Sequence, residues 1–361
     1  MTARVVNKKE YIDTPALVLD LDKLDANLEK MSDYFSGVDA ELRPHIKTHK
    51  CPILAQKQVA AGAIGVTCAK VGEAEVMAKA GIFDILIANQ VVSPGKIMRL
   101  LDLLNISDVK VAVESLENIA ALNAAAESRK TVLKVLIEVD VGMHRCGVTS
   151  VKEAVDLAGK VGKMKHIEIA GIMGYEGHII FTFDRDERIK LGTECMEALV
   201  EVKTELEKAG FSIPIVSGGG TGTYDIASNV PGVTEVQAGS YLTMDATYGY
   251  LNMGFEQAVT LMSTVIAVHG DHVILDCGMK SITSEFGMPQ PVGLDGASLA
   301  SLSEEHGHLN LEGKTKLKMG DVVELIPTHG CTTINLHDRF YPVRGDLVEG
   351  IWEISARGKF A

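Results

Sequence analysis

The sequence lacks an excess of positive charge and any long apolar run, and each absence excludes a class of protein. Its 35 Lys and Arg residues against 48 Asp and Glu residues give a formal net charge of −13. Binding to nucleic-acid phosphates needs clustered Lys and Arg, so we exclude nucleic acid as a partner. No uninterrupted apolar run approaches about 18 residues, so we predict no membrane partner. The first residues, MTARVVNKKEYIDT, contain no apolar segment, and we expect no secretory signal.

The cysteines also lack a pairing pattern. Six are scattered along the chain, at positions 51, 68, 146, 195, 277 and 331, and no two form a Cys-x-x-Cys pair. In a chain of 361 residues without a secretory signal, scattered cysteines are typical of reduced thiols, which predicts a cytoplasmic protein. The 46% of hydrophobic and 23% of charged residues indicate a packed globular protein, with room for a large barrel and a smaller domain.

Short β-branched apolar runs alternate with longer helical segments between residues 22 and 245. Helix candidates include 22–35, 93–104 and 187–210. Eight segments are strand candidates: 41–47, 65–69, 84–89, 109–115, 133–140, 166–175, 213–218 and 234–239. Eight strands, mostly with a helix between successive members, predict an α/β fold with a closed parallel (β/α)8 TIM-type barrel. An open doubly wound sheet is the alternative.

The pattern changes after residue 255, where strand-like runs follow one another closely and are joined by Gly- and Asp-rich turns. This spacing predicts a C-terminal antiparallel β domain. The segment ALVLDL (16–21) is also strand-like, and it precedes the barrel. We therefore predict a barrel over 22–245 and a β domain built from 1–21 plus 246–361.

The segment RPHIKTHK places Lys47 at the end of the first barrel strand, where barrel enzymes carry their chemistry. Positive surroundings and partial desolvation lower the pKa of a lysine and favour the free amine that Schiff-base chemistry requires. A solvated basic loop is the alternative. The neighbouring basic residues are Arg43, His45, His49 and Lys50.

Two glycine-containing loops follow the seventh and eighth strands, SGGGTGT and AGSY. In barrels these two loops commonly bind phosphate through backbone N–H groups. Tight turns alone would also explain one such loop. A lysine on strand one facing a phosphate site on strands seven and eight fits one cofactor, pyridoxal 5′-phosphate (PLP). The candidate loop residues are Gly219, Gly220, Thr221, Gly239, Ser240 and Tyr241.

Several motifs together resemble the alanine racemase-like (fold-type III) PLP enzymes, and among them the D-threonine aldolase and D-serine dehydratase group. The motifs are RPHIKTHK, GMHRCG, GGGTGT, QAGSY, HGCTTINLHD and WEISARG, and they span most of the chain. The resemblance implies that Lys47 is the Schiff-base lysine and that Arg145 reaches the cofactor's phenolic oxygen. It places Tyr175 against the pyridine ring, and it implies a homodimer. Taken alone, Arg145 fits a structural loop arginine equally well.

The motif HGC puts His329 and Cys331 two residues apart after an apolar run. In extended backbone, residues i and i+2 face the same side, so both could bind one ion. Imidazole and thiolate suit zinc, and two protein ligands leave positions open. The resemblance implies a divalent ion here, zinc or manganese. D-threonine aldolases usually have aspartate at the position of Cys331, whereas the dehydratases have cysteine.

The resemblance implies a PLP- and metal-dependent lyase that acts on small D-β-hydroxy-α-amino acids. Breaking the Cα–Cβ bond gives glycine and an aldehyde, and the whole-chain resemblance favours this aldolase reaction. Breaking the Cα–H bond and losing hydroxide gives a 2-oxo acid and ammonia, a dehydratase reaction of D-serine or D-3-hydroxyaspartate that Cys331 favours. An amino acid racemase and a non-catalytic PLP-binding protein are further alternatives. The D-configuration is implied by the resemblance alone.

Overall fold

A computed structural model describes residues 8–312 and 316–361. Its first strand, β1 (Ala16–Asp20), belongs to the second of two sheets. The first sheet has eight strands, and each hydrogen-bonded pair in it is parallel. Its strands are β2 (Glu41–Leu42), β3 (Val66–Cys68), β4 (Asp84–Gln90), β5 (Asp108–Val113), β6 (Leu133–Glu138), β7 (Ile167–Met173), β8 (Ile215–Gly218) and β9 (Glu235–Val236).

The eight-stranded sheet closes on itself, which confirms the predicted TIM-type barrel. Strand β2 pairs with β9, the last strand in sequence. On its other side, the chain beyond β2 meets β3, because His45 bridges Thr67 in parallel. The N–H of Thr67 donates to the carbonyl of Pro44 at 2.9 Å. The predicted strand 41–47 is therefore too long: only Glu41–Leu42 is regular strand, and a 3-10 helix covers Ile46–Thr48.

Helices alternate with the barrel strands, as the sequence pattern predicts. Side chains at the N-cap positions Ser115, Ser150 and Asp184 each accept a backbone N–H, which fixes where the helices that follow them begin. The predicted helices 93–104 and 187–210 correspond to α4 and α7. The helices are α1 (Leu21–Ser36), α2 (Pro52–Ala60), α3 (Val71–Lys79), α4 (Pro94–Leu103), α5 (Leu116–Arg129), α6 (Val151–Val161), α7 (Arg185–Lys208), α8 (Tyr224–Ala227), α9 (Ala246–Gly249) and α10 (Gly330–Ile334).

The barrel strands carry both an apolar core and a line of paired charges. One buried cluster takes residues from β4 to β7: Leu86, Ala112, Leu136, Ala170 and Met173. Near the beginnings of several strands, acidic and basic side chains alternate. Lys110 lies 2.8 Å from Asp84 and 3.0 Å from Asp108, and Lys134 lies 2.9 Å from Asp108. Because each charge has an opposite neighbour, these strands bury ionic groups without leaving them unpaired.

The second sheet has ten strands, and β1 is an interior strand with a neighbour on each side. Ala16 of β1 pairs with Met262 in antiparallel register, and Leu17 pairs with Phe340 in parallel register. All other pairings of this sheet are antiparallel, as predicted for the C-terminal domain. Its further strands are β10 (Val259–His269), β11 (His272–Leu275), β12 (Gln290–Pro291), β13 (Ala297–Leu302), β14 (Gly307–Leu311), β15 (Val322–Ile326), β16 (Arg339–Arg344), β17 (Leu347–Val348) and β18 (Trp352–Glu353).

The chain divides into two compact units. The barrel unit consists of Met31–Lys47, Leu54–Gly239 and Lys359–Ala361, and the β unit consists of the described residues up to Lys30, Thr48–Ile53 and Ser240–Gly358. Residues 1–7 of the predicted N-terminal part of the β domain lie outside the described residues. Within 8–312 and 316–361, no helix is both long and apolar enough to cross a membrane.

Candidate active site

Lys47 lies just beyond β2, in the 3-10 helix Ile46–Thr48. Its backbone N–H donates to the Nδ1 atom of His45 at 3.4 Å. Its Nζ atom lies 5.3 Å from the centroid of the Tyr175 ring. Tyr175 follows β7, so two residues far apart in sequence meet where barrel strands end. This is the end of a barrel at which catalytic residues are carried.

Arg43 does not provide the free positive charge beside Lys47 that the sequence pattern suggested. Its side chain is only 2% exposed, and it contacts Glu235 at 2.9 Å and Asp84 at 2.5 Å. Burial alone would lower the pKa of the guanidinium, but the two carboxylates outweigh burial and raise this pKa. Arg43 is therefore a paired internal cation that connects strands.

The glycine loop after β8 lies against Tyr175. A Cβ atom added to Gly220 would lie 3.1 Å from the Tyr175 ring, and Gly219 has a φ of +73°, a left-handed conformation that glycine adopts without strain. The N–H of Gly219 donates to Glu176 at 3.2 Å, and the N–H of Gly220 donates to the Thr223 hydroxyl at 3.1 Å. These two predicted residues thus use their N–H groups to shape the loop. The next residue, Thr221, is buried.

A buried carboxyl group that the sequence analysis did not single out lies beneath this loop. Glu176 accepts hydrogen bonds from the Gly219 N–H and the Thr223 hydroxyl. Burial raises the pKa of Glu176, against the lowering effect of these hydrogen bonds. Glu176 therefore connects the segment that carries Tyr175 to the glycine loop. The only sequence signal for it is its place in GYEGH, directly after Tyr175.

Arg145 lies on a tightly folded loop after β6. Asp140 accepts the N–H groups of Gly142 and His144, each at 3.0 Å. Gly142, His144 and Gly147 all have positive φ values, of 114°, 54° and 111°. A Cβ atom on Gly147 would lie 2.5 Å from the Asp140 backbone nitrogen, so this turn requires glycine at the last position of the motif GMHRCG. The turn presents the Arg145 guanidinium 6.0 Å from the Tyr175 ring centroid.

A second carboxyl group, Glu138, lies at the end of β6 and acts electrostatically on Arg145. Its side chain accepts a hydrogen bond from Gln90 and is buried. Burial is the main cause of the raised pKa of Glu138, and the Arg145 charge and the Gln90 hydrogen bond oppose it. Neither Glu138 nor Gln90 stands in a motif that the sequence analysis used. The barrel unit thus brings together Lys47, Tyr175, Arg145 and the glycine loop.

The loop after β9 carries the remaining predicted cofactor residues. A Cβ atom on Gly239 would overlap the carbonyl oxygen of His45, so only glycine lets this loop approach the segment that leads to Lys47. Ser240 begins a short 3-10 helix, Ser240–Leu242, in the β unit. Tyr241 is 1% exposed, and its ring centroid lies 5.7 Å from that of Phe255.

His329 and Cys331 lie at the start of a helix in the β unit. The extended backbone expected for residues 329–331 is wrong: His329 is the N-cap residue, and α10 begins at Gly330. The two side chains are nevertheless in contact. Burial alone would lower the pKa of His329, but hydrogen bonds to Cys331 and Glu285 raise it to about 9.

Two carboxyl groups hold the segment that contains His329, and the sequence analysis found neither. Glu285 contacts the Nδ1 atom of His329 at 2.7 Å, and the Phe286 ring stacks on the imidazole with centroids 4.8 Å apart. Asp245 accepts the N–H of Gly330 at 2.9 Å, and burial raises its pKa. Among residues 8–312 and 316–361, no cluster of three or more His, Cys, Asp or Glu side chains could hold a metal ion.

Comparisons with known proteins agree with this arrangement. The family model for the alanine racemase N-terminal domain matches residues 19–247, and a serine dehydratase domain model matches residues 258–343. A D-threonine aldolase from Arthrobacter sp. is 39% identical over 96% of this chain and 93% of its own length.

Solved structures show the same likeness. The crystal structure of D-threonine aldolase from Filomicrobium marinum has a TM-score of 0.95 and 34% identity, covering 99% of both chains. D-threo-3-hydroxyaspartate dehydratase from Delftia sp. HT23 has a TM-score of 0.88 and 28% identity, covering 96% of this chain and 98% of that one. A cysteine-to-alanine variant of such a dehydratase has been solved in a metal-free form. The chain therefore belongs to the alanine racemase-like, fold-type III PLP enzymes, in the group of the D-threonine aldolases and D-serine dehydratases.

Proposed function

We propose that the chain is a lyase of the D-threonine aldolase type, which uses PLP and a divalent metal ion to cleave D-β-hydroxy-α-amino acids into glycine and an aldehyde. The observation that carries this proposal is the 39% identity to the Arthrobacter aldolase over 96% of the chain. A likeness of that extent spans nearly the whole chain and so includes parts of both compact units. It therefore supports the reaction more strongly than any single motif.

The residues around Tyr175 fit PLP. Lys47 offers an amine for the cofactor's aldehyde, and Arg145 offers a cation for its ring oxygen; both face the Tyr175 ring, at 5.3 and 6.0 Å. Gly219 and Gly220 leave the loop beside that ring free of side chains, which gives a phosphate group room to approach, while their own N–H groups bond Glu176 and Thr223. When bound, PLP supplies an electron sink for the pair released at the substrate Cα.

Each of these residues has a separate proposed role. Lys47 holds the cofactor and, in the dehydratase alternative, takes the proton from Cα. Arg145 balances the charge of the cofactor's phenolic oxygen, and Tyr175 packs against its ring. The phosphate would bind at the glycine loop and the loop after β9, where the hydroxyl donors that we propose are Thr221, Ser240 and Tyr241.

The donor set at His329 fits a zinc ion with two protein ligands, and manganese is the alternative that the family resemblance implies. Imidazole and thiol are in contact, and Glu285 binds Nδ1, which directs Nε2 toward a ligand. A carboxylate on the outer nitrogen is the usual partner of a metal-binding histidine. We propose that His329 and Cys331 hold the ion, whose chemistry would be to acidify a bound hydroxyl group.

The second candidate function is dehydration, and the observation that favours it is Cys331. The dehydratases of this group carry cysteine there, whereas the aldolases usually carry aspartate. Dehydration of D-serine or D-3-hydroxyaspartate would give a 2-oxo acid and ammonia. The identity to the dehydratase of known structure is 28%, lower than to the aldolase, so we place this reaction second.

The remaining parts of the proposal concern the setting of the enzyme. We propose small D-β-hydroxy amino acids as substrates, with no nucleic-acid or membrane partner. We also propose a cytoplasmic homodimer: reduced cysteines support the compartment, and the family resemblance supports the dimer. Sedimentation of the holoenzyme would test the dimer directly.

One product assay separates the two reactions. Incubated with D-3-hydroxyaspartate, an aldolase releases glycine and glyoxylate, whereas a dehydratase releases oxaloacetate and ammonia. With D-threonine we expect glycine and acetaldehyde. A chelator should abolish turnover while the cofactor's visible absorbance persists. His329→Ala should match the chelated enzyme, and His306→Ala, an exposed histidine of the same unit, should match the untreated enzyme. Ammonia as the main product would reject the aldolase proposal.

The cofactor assignment has its own test. Lys47→Ala should purify without the visible absorbance of bound PLP, since no other residue is proposed to bind the aldehyde. Lys79→Ala, an exposed lysine of the same unit, is the matched control and should keep the absorbance. An unchanged spectrum in Lys47→Ala would reject the assignment.

A further inference from the structure

A pair of histidines on the β unit has no part in the proposed reaction. His272 lies on β11 and His308 on β14, which are antiparallel neighbours. In their register His272 is opposite Asn310, so His308, two residues from Asn310, lies on the same face as His272. Both histidines alternate with buried neighbours, Val273 and Leu309, so this face points away from the core.

The two rings turn one nitrogen each toward the other. His272 Nε2 and His308 Nδ1 are 3.5 Å apart, and the rings are stacked with centroids 5.5 Å apart. Two nitrogens bound at about 2.0–2.1 Å to one tetrahedral ion are roughly 3.3 Å apart. The two imidazoles are therefore spaced almost as two ligands of one ion would be.

The outer nitrogens are already held by hydrogen bonds. His272 Nδ1 donates to the amide oxygen of Asn310 at 3.1 Å, so Nε2 of a neutral ring is an acceptor whose lone pair points toward His308 Nδ1. His308 Nε2 lies 3.0 Å from the Ser303 hydroxyl. A hydroxyl can donate or accept, so Ser303 allows either tautomer of His308. When Ser303 accepts, the Nδ1 lone pair of His308 also faces the gap.

A third imidazole is one strand away. His269 of β10 is directly opposite His272, across the two-residue turn that contains Gly270 at a φ of +68°. Directly opposite residues of an antiparallel pair have Cβ atoms about 4.5–5.5 Å apart. His269 is exposed, and exposed side chains change rotamer readily.

We propose that His272 and His308 form a binding site for a divalent cation of the class that imidazole prefers, such as Ni²⁺ or Zn²⁺. Outer hydrogen bonds to Asn310 and Ser303 orient the two rings, as second-shell partners do at metal sites. The site uses none of the residues proposed for PLP or for the ion at His329. It binds its cation whether or not the enzyme is turning over.

The test is equilibrium dialysis of the full-length holoenzyme against Ni²⁺, with all variants made in a His329→Ala background to remove the other proposed metal site. We expect this background protein to bind one Ni²⁺ at the histidine pair. His272→Ala and His308→Ala should each weaken that binding by at least about tenfold, because the loss of even an outer-shell partner typically costs 10–100-fold in affinity.

His306→Ala is the matched control. His306 lies in the turn before β14, two residues from His308 on the side away from His272, and it should leave Ni²⁺ binding within a factor of two. Because all three positions are at the surface of one sheet, unchanged far-UV circular dichroism should accompany every variant. Equal Ni²⁺ binding by His308→Ala and His306→Ala would overturn the proposal. So would a His329→Ala protein that binds no Ni²⁺.

Discussion

Replacing Arg43 by Met tests whether this residue is a buried, paired cation that stabilises the fold rather than part of a basic surface. Met keeps much of the apolar length of the side chain and removes its charge. Glu235, which is 4% exposed, then loses a cation at 2.9 Å, whereas Asp84 keeps Lys110 at 2.8 Å. Leaving one member of a buried ion pair uncompensated typically costs about 3–5 kcal/mol, and we expect the free energy of unfolding to fall by that amount.

The measurement is urea unfolding followed by far-UV circular dichroism, with Arg129→Met as the control. Arg129 contacts Asp102 at a similar 3.0 Å, but the two side chains are 45% and 56% exposed. An exposed pair contributes at most about 1 kcal/mol, so the control should unfold near the wild-type midpoint. The double variant Arg43→Met/Glu235→Leu should recover most of the loss, because it removes the unpaired carboxylate.

The reasoning would be refuted if Arg43→Met unfolded at the same urea concentration as Arg129→Met. It would also fail if the double variant were no more stable than the single one, since the loss would then come from packing alone. Arg43 precedes Lys47 by four residues on the same segment. We therefore expect Arg43→Met to bind PLP more weakly as well, which a titration of visible absorbance would measure.

Three further predictions concern two glycines and one buried carboxyl group. Gly239→Ala should bind PLP far more weakly, because its Cβ would overlap the His45 carbonyl, and a titration with PLP measures this effect. Gly159→Ala lies in α6 with open space around its Cβ, so it should stabilise the protein by about 0.5–1 kcal/mol, which thermal unfolding measures. Burial raises the pKa of Glu176 in the folded protein, so folding favours the protonated carboxyl group. The stability that this group contributes is fully present at pH values below its unfolded pKa, and it is lost as the pH rises through its folded pKa. Glu176→Gln does not titrate, so its melting temperature relative to wild type should rise as pH rises above the unfolded glutamate pKa of about 4.3, and a difference that stays constant with pH would contradict the protonation argument.

The barrel could be predicted from the sequence because its strands are short, apolar and β-branched, and its helices are long and amphipathic. The predicted helix 93–104 matches Pro94–Leu103, where Ser93 and Pro94 mark the start. The predicted strand 16–21 matches Ala16–Asp20 and pairs in the second sheet. In these segments local propensity and tertiary packing favour the same structure.

Other segments could not be predicted, because neighbours rather than local sequence decide them. Strands β13 and β14 were missed: ASLASL and GHLNL are rich in small and polar residues and are held by pairing with each other and with β11. The run DLVEGIWEI (346–354) has the apolar pattern of a single strand, but it forms two short ones, Leu347–Val348 and Trp352–Glu353, that both pair with β16. At the motif HGC the chain starts a helix instead of continuing β15, and Asp245 holds that start by accepting the N–H of Gly330.

Three carboxyl groups near the candidate site lie outside the sequence motifs, and all three act on residues that those motifs contain. Glu138 acts on Arg145, Glu176 fixes the turn at Gly219, and Glu285 binds Nδ1 of His329. Glu176 and Glu285 each come from a different element than the residue that they contact, and Glu138 acts on Arg145 only electrostatically, so no spacing along the sequence reveals these pairs. Motifs identify the residues that we propose for PLP and metal, but the turn at Gly219 and the His329 imidazole are held in place by carboxyl groups outside those motifs. Because cleavage and dehydration differ in which bond at Cα is broken, orienting residues of this kind should influence the choice of reaction more than the exchange of cysteine for aspartate at position 331.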